Sequence, residues 1–309
     1  MPGVIMRHLR SLFDVTADDV EEILALAADL KAKFQAGERP ALLPGRVLAM
    51  VFEKPSLRTR NSFEAAMVHL GGGGIFISSK DAGFNGRETL TDIARVLGSY
   101  SDAIALRTFS QTLIEDFAAH SACPVINALS DDFHPCQALT DLFTIQEVFG
   151  KTEGLHLFYL GDGNNVARSL ALGTALAGMR MTVASPRGYE LEAGFMKSLE
   201  KHVPAAQFAV TNDIDRHVAT ADIVYTDVWA SMGQEGEADE RRKKFAKFQV
   251  NAALMAKAPI GCKFMHDLPA HRGEEVTDEV LDGPQSIAFL QAENRMHLAK
   301  GLLAWLMKS

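Results

Sequence analysis

Short apolar runs alternate along this chain with stretches whose apolar residues recur every three or four positions. A short apolar run predicts a buried strand, whereas the longer period predicts a helix. Their regular alternation is typical of an α/β fold built on parallel sheets. The predicted strands are 47–52, 75–77, 103–106, 125–128, 155–160, 181–184, 208–210, 223–225 and 263–267.

Size and composition are those of a soluble globular protein with two domains. The chain has 309 residues, of which 47% are hydrophobic and 23% are charged, and this suits two domains of ordinary size. We expect the second domain to begin near Gly150–Gly154, after a helical stretch and before the next strand. The expected domains are therefore 1–149 and 150–284, followed by a long amphipathic helix in 285–309.

Charge and cysteine content exclude several classes of protein. The net charge of −8 argues against a general nucleic-acid-binding protein, because such proteins carry basic surfaces. Cys123, Cys136 and Cys262 are widely spaced, which argues against a disulfide framework or a zinc ribbon. No apolar run approaches roughly 18 residues, and the N-terminus lacks a signal pattern. We therefore expect a cytoplasmic protein that does not enter membranes.

The strand 47–52 leads into a helix whose first turn is basic. Ser56 is a suitable N-cap, and Arg58 and Arg60 follow within the first turn. Cations are unfavourable there, because the start of a helix already carries partial positive charge. A bound anion removes the conflict, since free N–H groups, hydroxyls and guanidinium groups can all hold it. The alternative is a solvated basic helix start, but the pattern favours an anion site.

Further polar residues in the first domain follow predicted strands. Arg107 comes directly after the strand 103–106, and ligands bind beyond the carboxyl ends of strands in open α/β sheets. His134 and Gln137 lie one turn apart at the start of a helix, with Pro135 in its first turn. Taken singly, these residues could equally be a surface arginine, a capping histidine and an exposed glutamine.

A glycine-rich turn, Gly161–Asn165, follows the strand 155–160 and precedes a helix. A dinucleotide-binding loop has this position, but its third glycine would fall on Val166, and no acidic residue follows the next strand. A nicotinamide cofactor is therefore disfavoured. The asparagines of the turn instead suit a carboxylate bound at a helix N-terminus.

The strand 223–225 leads into a loop that suits an amino acid. Asp227 is placed to pair with an α-ammonium group, and Ser231 and Met232 follow in the same loop. The next segment, Glu235–Lys247, is a dense run of charged residues. Such runs are usually solvated, and we expect a solvated surface here.

The basic helix start resembles the carbamoyl-phosphate loop of the aspartate/ornithine carbamoyltransferase family. Further matches follow in the family's order along almost the whole chain. They are Arg107-Thr108-Phe109, His134-Pro135-Cys136-Gln137, Gly161-Asp162-Gly163-Asn164-Asn165, Asp227-Val228-Trp229-Ala230-Ser231-Met232-Gly233, His266-Asp267-Leu268-Pro269 and Glu293-Asn294-Arg295-Met296. The resemblance implies two doubly wound parallel-sheet domains, an active site in the cleft between them, and a C-terminal helix that packs back on the first domain. It also implies a homotrimer or a multiple of one, and no metal or redox cofactor.

Within the family, the motifs favour the branch that uses ornithine and makes citrulline in arginine metabolism. The resemblance then assigns carbamoyl-phosphate binding to Ser56, Leu57, Arg58, Thr59, Arg107, His134, Pro135, Cys136, Gln137, Asp267, Leu268 and Arg295. It assigns ornithine binding to Asn165, Asp227, Ser231 and Met232. It assigns catalytic roles to Arg58, Arg107, His134, Asp267 and Arg295.

Two positions depart from the family pattern. Gly83 stands where relatives usually have a glutamine that reaches carbamoyl phosphate in a neighbouring subunit, so this contact is either missing or made by Lys80, Asp81 or Asn85. Asp267 stands where relatives that use ornithine usually have cysteine. A carboxylate there could pair with the side-chain ammonium, accept its proton, oppose the phosphate or select another amine. An acceptor other than ornithine, and a non-catalytic relative that binds carbamoyl phosphate, stay open as alternatives.

Overall fold

A computed structural model describes residues 6–84, 86, 88–231, 233 and 235–307. The chain divides into two compact units. Unit 1 consists of the residues up to Phe143 and from Asn294 onward, and unit 2 consists of Thr144–Glu293. Among the described residues, no helix combines the length and the apolar character that crossing a membrane requires.

Parallel sheets form the centre of both units. In unit 1 the described strands are β1 (Val47–Phe52), β2 (Gly73–Ser78), β3 (Ala103–Arg107) and β4 (Val125–Leu129), in the order β2-β1-β3-β4. In unit 2 they are β5 (His156–Leu160), β6 (Arg180–Ala184), β7 (Gln207–Thr211), β8 (Ile223–Thr226) and β9 (Lys263–His266), in the order β7-β6-β5-β8-β9. The predicted α/β class with parallel sheets is confirmed, and each predicted strand is present.

Helices connect successive strands, because parallel neighbours need a crossover. The described helices are α1 (Ala17–Gln35), α2 (Leu57–His69), α3 (Leu90–Tyr100), α4 (Gln111–His120), α5 (Pro135–Phe149), α6 (Asn165–Leu176), α7 (Ala193–His202), α8 (Ile214–Val218), α9 (Ala238–Phe245), α10 (Ala252–Met255), α11 (Asp278–Leu281) and α12 (Ala288–Met307). Helices α4 and α7, with 10 residues each, were not among the predicted elements.

Sheet order brings the ends of particular strands side by side. In unit 1, Phe52 of β1 is in register with Arg107 of β3. In unit 2, Leu160 of β5 is in register with Thr226 of β8, and Thr226 is in register with His266 of β9. The polar residues that follow these strands therefore lie at one edge of each sheet, where open α/β sheets bind ligands.

The C-terminal part of α12 packs on α1 within unit 1. Gly301 makes this close approach, since a Cβ added there would lie 2.7 Å from the Ala27 nitrogen. Lys300 donates from Nζ to the Leu30 carbonyl at 3.0 Å. Trp305 donates from its indole nitrogen to Glu22 Oε2 at 3.1 Å. The sequence prediction that this helix returns to the first domain is confirmed.

The charge run Glu235–Lys247 is not wholly solvated. It contains α9, on which Arg241 and Phe245 are buried four residues apart. Phe245 stacks against the Trp229 ring with the ring centres 5.9 Å apart. The prediction of a solvated surface was therefore wrong for this face of the helix, because the partners of the buried side chains lie elsewhere in the sequence.

Candidate active site

The basic helix start predicted from the sequence is the N-terminus of α2. Ser56 is its N-cap, as predicted, and the Ser56 hydroxyl accepts a hydrogen bond of 3.1 Å from the Thr59 N–H. Leu57 and Arg58 are the first two helical residues, and N–H groups at this position have no acceptor within the helix. The helix start can therefore offer backbone donors to an anion.

The arginines of this turn differ in what they contact. Arg60 donates from Nε to Glu64 Oε1 at 2.9 Å, and its guanidinium carbon lies 3.8 Å from the centre of the Phe76 ring. Arg60 is thus held by its own helix and by β2. Half-buried Arg58 is the arginine that this turn can contribute to an anion site.

Thr59 is the point at which two arginines from distant parts of the chain meet. Arg295 of α12, 236 residues away, donates from Nη2 to the Thr59 hydroxyl at 2.9 Å. Arg107, 48 residues away at the end of β3, donates from Nη1 to the same oxygen at 3.5 Å. Thr59 and both arginines are buried. The structure thus brings together three of the residues that we expected to bind carbamoyl phosphate.

The amide of Gln137 is oriented by two neighbours. Its Oε1 accepts a short hydrogen bond from Arg295 Nη1, and its Nε2 donates to Asp141 Oδ1 at 2.8 Å. Asp141 is buried one turn further along α5. Sequence reasoning missed Asp141, although an acid four residues after Gln137 on a helix is a recognisable pair.

His134 lies in the same cluster, just before α5. Burial lowers the pKa of His134 well below its ordinary value, and the charges of Arg295 and Arg107 lower it further. The imidazole is therefore neutral at pH 7. Pro135 is the first residue of α5, and burial raises the pKa of the adjacent Cys136 thiol to about 12. Cys136 is thus an uncharged donor, and it contacts the Asn127 carbonyl at 3.4 Å.

Arginines supply the positive charge of this cluster. Arg58, Arg107 and Arg295 stay protonated at any physiological pH. A planar guanidinium group presents paired donors that match phosphate and carboxylate oxygens. The cluster in unit 1 is therefore suited to a small anion with several oxygens.

In unit 2, the asparagines of the glycine-rich turn have separate roles. Asn164 is the N-cap of α6, and its Oδ1 accepts from the N–H groups of Val166 and Ala167 at 3.0 and 3.1 Å. Its Nδ2 donates to Asp227 Oδ2 at 2.7 Å. Asn165, the predicted ligand, is the first helical residue. The sequence suggested both asparagines for a carboxylate but did not predict the bond of Asn164 to Asp227, although an asparagine before an apolar helical pattern is an N-cap signal.

Asp227 and Asp267 form a pair of carboxyl groups beyond β8 and β9. Asp227 also accepts a hydrogen bond of 2.7 Å from the Val228 N–H. Burial raises the pKa of Asp227 well above its ordinary value, and the charge of Asp267 raises it further. Two carboxyl groups this close do not both ionise readily. The uncharged form of Asp227 is therefore favoured until a cation joins the pair.

His266 connects this pair to a buried acid. Its Nε2 lies 3.1 Å from Glu275 Oε1, and its Nδ1 accepts a hydrogen bond of 2.9 Å from the Leu268 N–H. Burial lowers the pKa of His266, but contacts with Asp267 and Glu275 outweigh burial and raise it to about 9. The Leu268 N–H and the Glu275 side chain thus hold the ring at its two nitrogens.

A divalent cation is a weaker fit to this cluster than an ammonium group. Ligand atoms of Asp227, His266 and Asp267 lie within 4.8 Å of one another, which is a spacing that metal sites share. Both ring nitrogens of His266 are already hydrogen-bonded, however. The cluster therefore offers a cation only the carboxyl oxygens of Asp227 and Asp267, whereas a metal site usually needs at least three protein ligands.

The other predicted residues of the site are placed as follows. Leu268 has a left-handed backbone with φ of 56°, and its N–H bond to His266 holds that conformation. Ser231 is half-buried, and Met232 lies outside the described residues. Gly83 has φ of 79°, and Asn85 is also outside the described residues.

Comparison with known proteins matches both halves of the chain to domains of one family. Residues 7–147 match the family described as aspartate/ornithine carbamoyltransferase, carbamoyl-P binding domain. Residues 153–306 match the family described as aspartate/ornithine carbamoyltransferase, Asp/Orn binding domain. The two matches together span nearly all of the chain.

Individual relatives are similar over the same length. The chain is 52% identical to the ornithine carbamoyltransferase of Anoxybacillus flavithermus, covering 96% of this chain and 95% of that one. It is 48% identical to the anabolic ornithine carbamoyltransferase of Pyrococcus furiosus, covering 97% and 96%. A solved structure of the Pyrococcus furiosus enzyme matches with a TM-score of 0.94, covering 97% of both chains. One from Thermus thermophilus matches at 41% identity with a TM-score of 0.88, covering 99% and 100%. This chain therefore belongs to the aspartate/ornithine carbamoyltransferase family.

Proposed function

We propose that the chain transfers the carbamoyl group of carbamoyl phosphate to the side-chain amine of L-ornithine, giving L-citrulline and phosphate. The observation that carries this proposal is the meeting of Arg107 and Arg295 at Thr59, beside the start of α2. The relatives described above bear the name of the same reaction.

Carbamoyl phosphate is assigned to the domain 1–149. The phosphate binds the N-terminus of α2 through Ser56, Leu57, Arg58 and Thr59, together with Arg107. The carbamoyl end binds His134 and Gln137. Arg295, from the helix segment 285–309, joins both ends because it contacts Thr59 and Gln137.

Ornithine is assigned to the domain 150–284. Asn165 at the start of α6 suits the α-carboxylate, because a helix N-terminus favours an anion. Asp227 suits an ammonium group, and Ser231 and Met232 complete the predicted set. Asn164 belongs with them, because its bond to Asp227 helps to fix the orientation of that carboxyl.

The reaction follows from these contacts. The neutral amine nitrogen attacks the carbamoyl carbon, and the carbonyl oxygen becomes an oxyanion. The bond from carbon to the phosphate oxygen then breaks, and the leaving phosphate takes the extra proton of the attacking nitrogen. Arg107, Thr59 and His134 stabilise the oxyanion by preorganised hydrogen bonds. The neutral state of His134 suits this role. A neutral imidazole can donate its N–H to the oxyanion, and it does not form an ion pair with the phosphate. Holding both substrates in place supplies much of the acceleration.

The attacking amine must first lose a proton. An alkylammonium has a pKa of about 10, by analogy with lysine. Asp267 is the proposed counter-ion and base, and the leaving phosphate is the alternative proton acceptor. An arriving ammonium also offsets the cost of ionising Asp227 beside Asp267, which favours a basic acceptor substrate.

A homotrimer, or a multiple of one, is proposed for the assembly. The support is the family resemblance, in which a neighbouring subunit completes the carbamoyl-phosphate site. Light scattering of the purified chain measures this directly, and a monomer that keeps full activity contradicts it.

The assay combines carbamoyl phosphate with a panel of amines and scores phosphate release and the carbamoylated product. Citrulline formed with ornithine, and little product with other amines, is the expected result. If product forms with a different amine and not with ornithine, that amine is the acceptor. No product with any amine, although carbamoyl phosphate binds, would leave the binding-only alternative.

A further inference from the structure

Arg241 differs from the other basic residues of its charge run. Its side chain is 7% exposed, whereas the next residue, Arg242, is 49% exposed. Both are arginines on the same short helix, α9. Burial of an arginine costs free energy unless acceptors pair with its guanidinium group. The acceptors of Arg241 therefore indicate its role in the structure.

The guanidinium of Arg241 contacts three segments of unit 2. Its Nη1 donates to Asp162 Oδ2 at 2.6 Å and to the Trp229 carbonyl at 2.9 Å. Its Nε donates to Glu237 Oε2 at 3.0 Å. The guanidinium carbon also lies 4.9 Å from the centre of the Tyr189 ring.

Two of these contacts fall on loops that hold the predicted amino-acid site. Asp162 lies in the turn that leads to Asn164 and Asn165. Trp229 lies between Asp227 and Ser231 in the loop after β8. One guanidinium therefore joins the loop after β5 to the loop after β8.

The backbone next to this contact is closely packed. Asp162 is half-buried, and this burial raises the pKa of its carboxyl, while the bond to Arg241 opposes that rise. Gly163 lies against the Glu190 backbone, since a Cβ added there would lie 2.6 Å from it. Removing one partner of such a buried pair leaves the other without compensation.

We propose that Arg241 is a positioning residue for the acceptor substrate. It holds the loop after β5 and the loop after β8 in one arrangement, so that Asn164, Asn165 and Asp227 face the amino acid together. This inference rests on the proposed function, since it assumes that these loops bind ornithine. A residue that serves stability alone would affect both substrates alike.

The test compares Arg241→Gln with Arg242→Gln. Arg242 is the matched control, because it pairs with Asp239 and Glu274 on the exposed face of the same helix. For Arg241→Gln we expect the KM for ornithine to rise by about 10- to 100-fold, since small misplacements of binding groups have effects of this size. The KM for carbamoyl phosphate should stay within about twofold, and Arg242→Gln should leave both constants unchanged.

Two further variants keep the result interpretable if Arg241→Gln folds poorly. Arg241→Lys retains the charge but has only a single ammonium group for three acceptors, so it should be intermediate. Asp162→Asn breaks the pair from the other side and should show the same selective rise for ornithine. An equal rise in both KM values, or none in either, overturns the inference.

Hydrogen exchange of the substrate-free protein gives a readout that does not depend on the reaction. In Arg241→Gln, backbone amides of 161–165 and 227–231 should lose protection together, and in Arg242→Gln neither should. Faster exchange in only one loop overturns the coupling. If the unaltered chain forms no citrulline from ornithine, the proposed function fails, and the exchange result still decides whether Arg241 joins the loops.

Discussion

At the scale of single residues, the surroundings of His134, Cys136 and Asp227 all favour the uncharged form. Burial leads in each case, lowering the pKa of the histidine and raising the pKa of the thiol and the carboxyl. The charges available to substrates in unit 1 are therefore those of arginines, which do not titrate near neutral pH. Carbamoyl phosphate affinity is expected to be insensitive to the protonation of His134 between pH 7 and 9, because the pKa of that ring lies below its ordinary value.

Asp267 is the residue whose replacement best tests the proposed proton transfer. Asp267→Ala should lower turnover by about 10² to 10⁴, the usual contribution of a positioned base. Asp267→Cys should lose far less, because a thiolate can also pair with the ammonium or accept its proton. Citrulline formation at saturating substrates measures the difference. Equal and mild losses in the two variants reject the role.

At the scale of elements, α12 links the anion site to the body of unit 1. Arg295 lies near its middle and contacts Thr59 and Gln137. Further along the same helix, Lys300, Gly301 and Trp305 pack against α1. The position of the Arg295 guanidinium therefore depends on how α12 packs on α1, about two turns further along the helix.

Gly301→Ala tests this dependence. The added methyl would lie 2.7 Å from the Ala27 nitrogen, so we expect a loss of stability of about 1–3 kcal/mol and weaker binding of carbamoyl phosphate. Thermal unfolding and the KM for carbamoyl phosphate measure the two effects. Gly194→Ala in α7 is the control, because a Cβ there meets nothing within 4 Å. An unchanged melting temperature for Gly301→Ala contradicts the close packing.

The same helix interface predicts a dependence of stability on pH. Burial lowers the pKa of His297 to about 3, and the charges of Lys300 and Lys31 lower it further, as do His69 and Arg39. The Phe34 ring packs on His297 with ring centres 5.2 Å apart. Between pH 6.5 and 3 the unfolded chain takes up a proton at this histidine that the folded chain does not. This destabilisation is absent above pH 6.5 and grows as the pH falls.

His297→Gln removes that proton uptake. Between pH 6 and 4, the free energy of unfolding of the unaltered chain should fall faster than that of the variant, by up to about 1 kcal/mol per pH unit. Urea unfolding at a series of pH values measures the free energy of unfolding of both proteins. Other titrating groups are common to both, so their effects cancel in the difference. His120→Gln, at the exposed end of α4, is the control. Parallel pH profiles for His297→Gln and the unaltered chain would show that the ring does not resist protonation.

At the scale of the whole molecule, much of the fold could be predicted because its signals are local. An apolar run fixes each strand, and Ser56 before a helical pattern fixes the start of α2. The pairing of Asn164 with Asp227 and of Arg241 with Asp162 could not be predicted in this way. The partners are 63 and 79 residues apart. A dense charge run predicts a solvated surface as long as the half-buried carboxyl of Asp162 is not known to lie beside it.

Unit 1 is built from two segments of sequence, and unit 2 lies between them in the chain. A chain ending at Glu293 therefore keeps unit 2 but lacks the part of α12 that packs on α1. We expect hydrogen exchange to become faster across α1 while the sheet of unit 2 stays protected. Loss of protection in both sheets to the same extent would contradict this division.

The nesting of one unit within the sequence of the other also orders events on the ribosome. Residues 144–293 emerge before Asn294 and the residues that follow it, and domains generally fold as units during synthesis. Unit 2 can thus reach its native state while the earlier half of the nascent polypeptide still waits for its closing helix. Until then the apolar side of α1 is exposed, and it is at this interval that chaperones would protect the nascent chain.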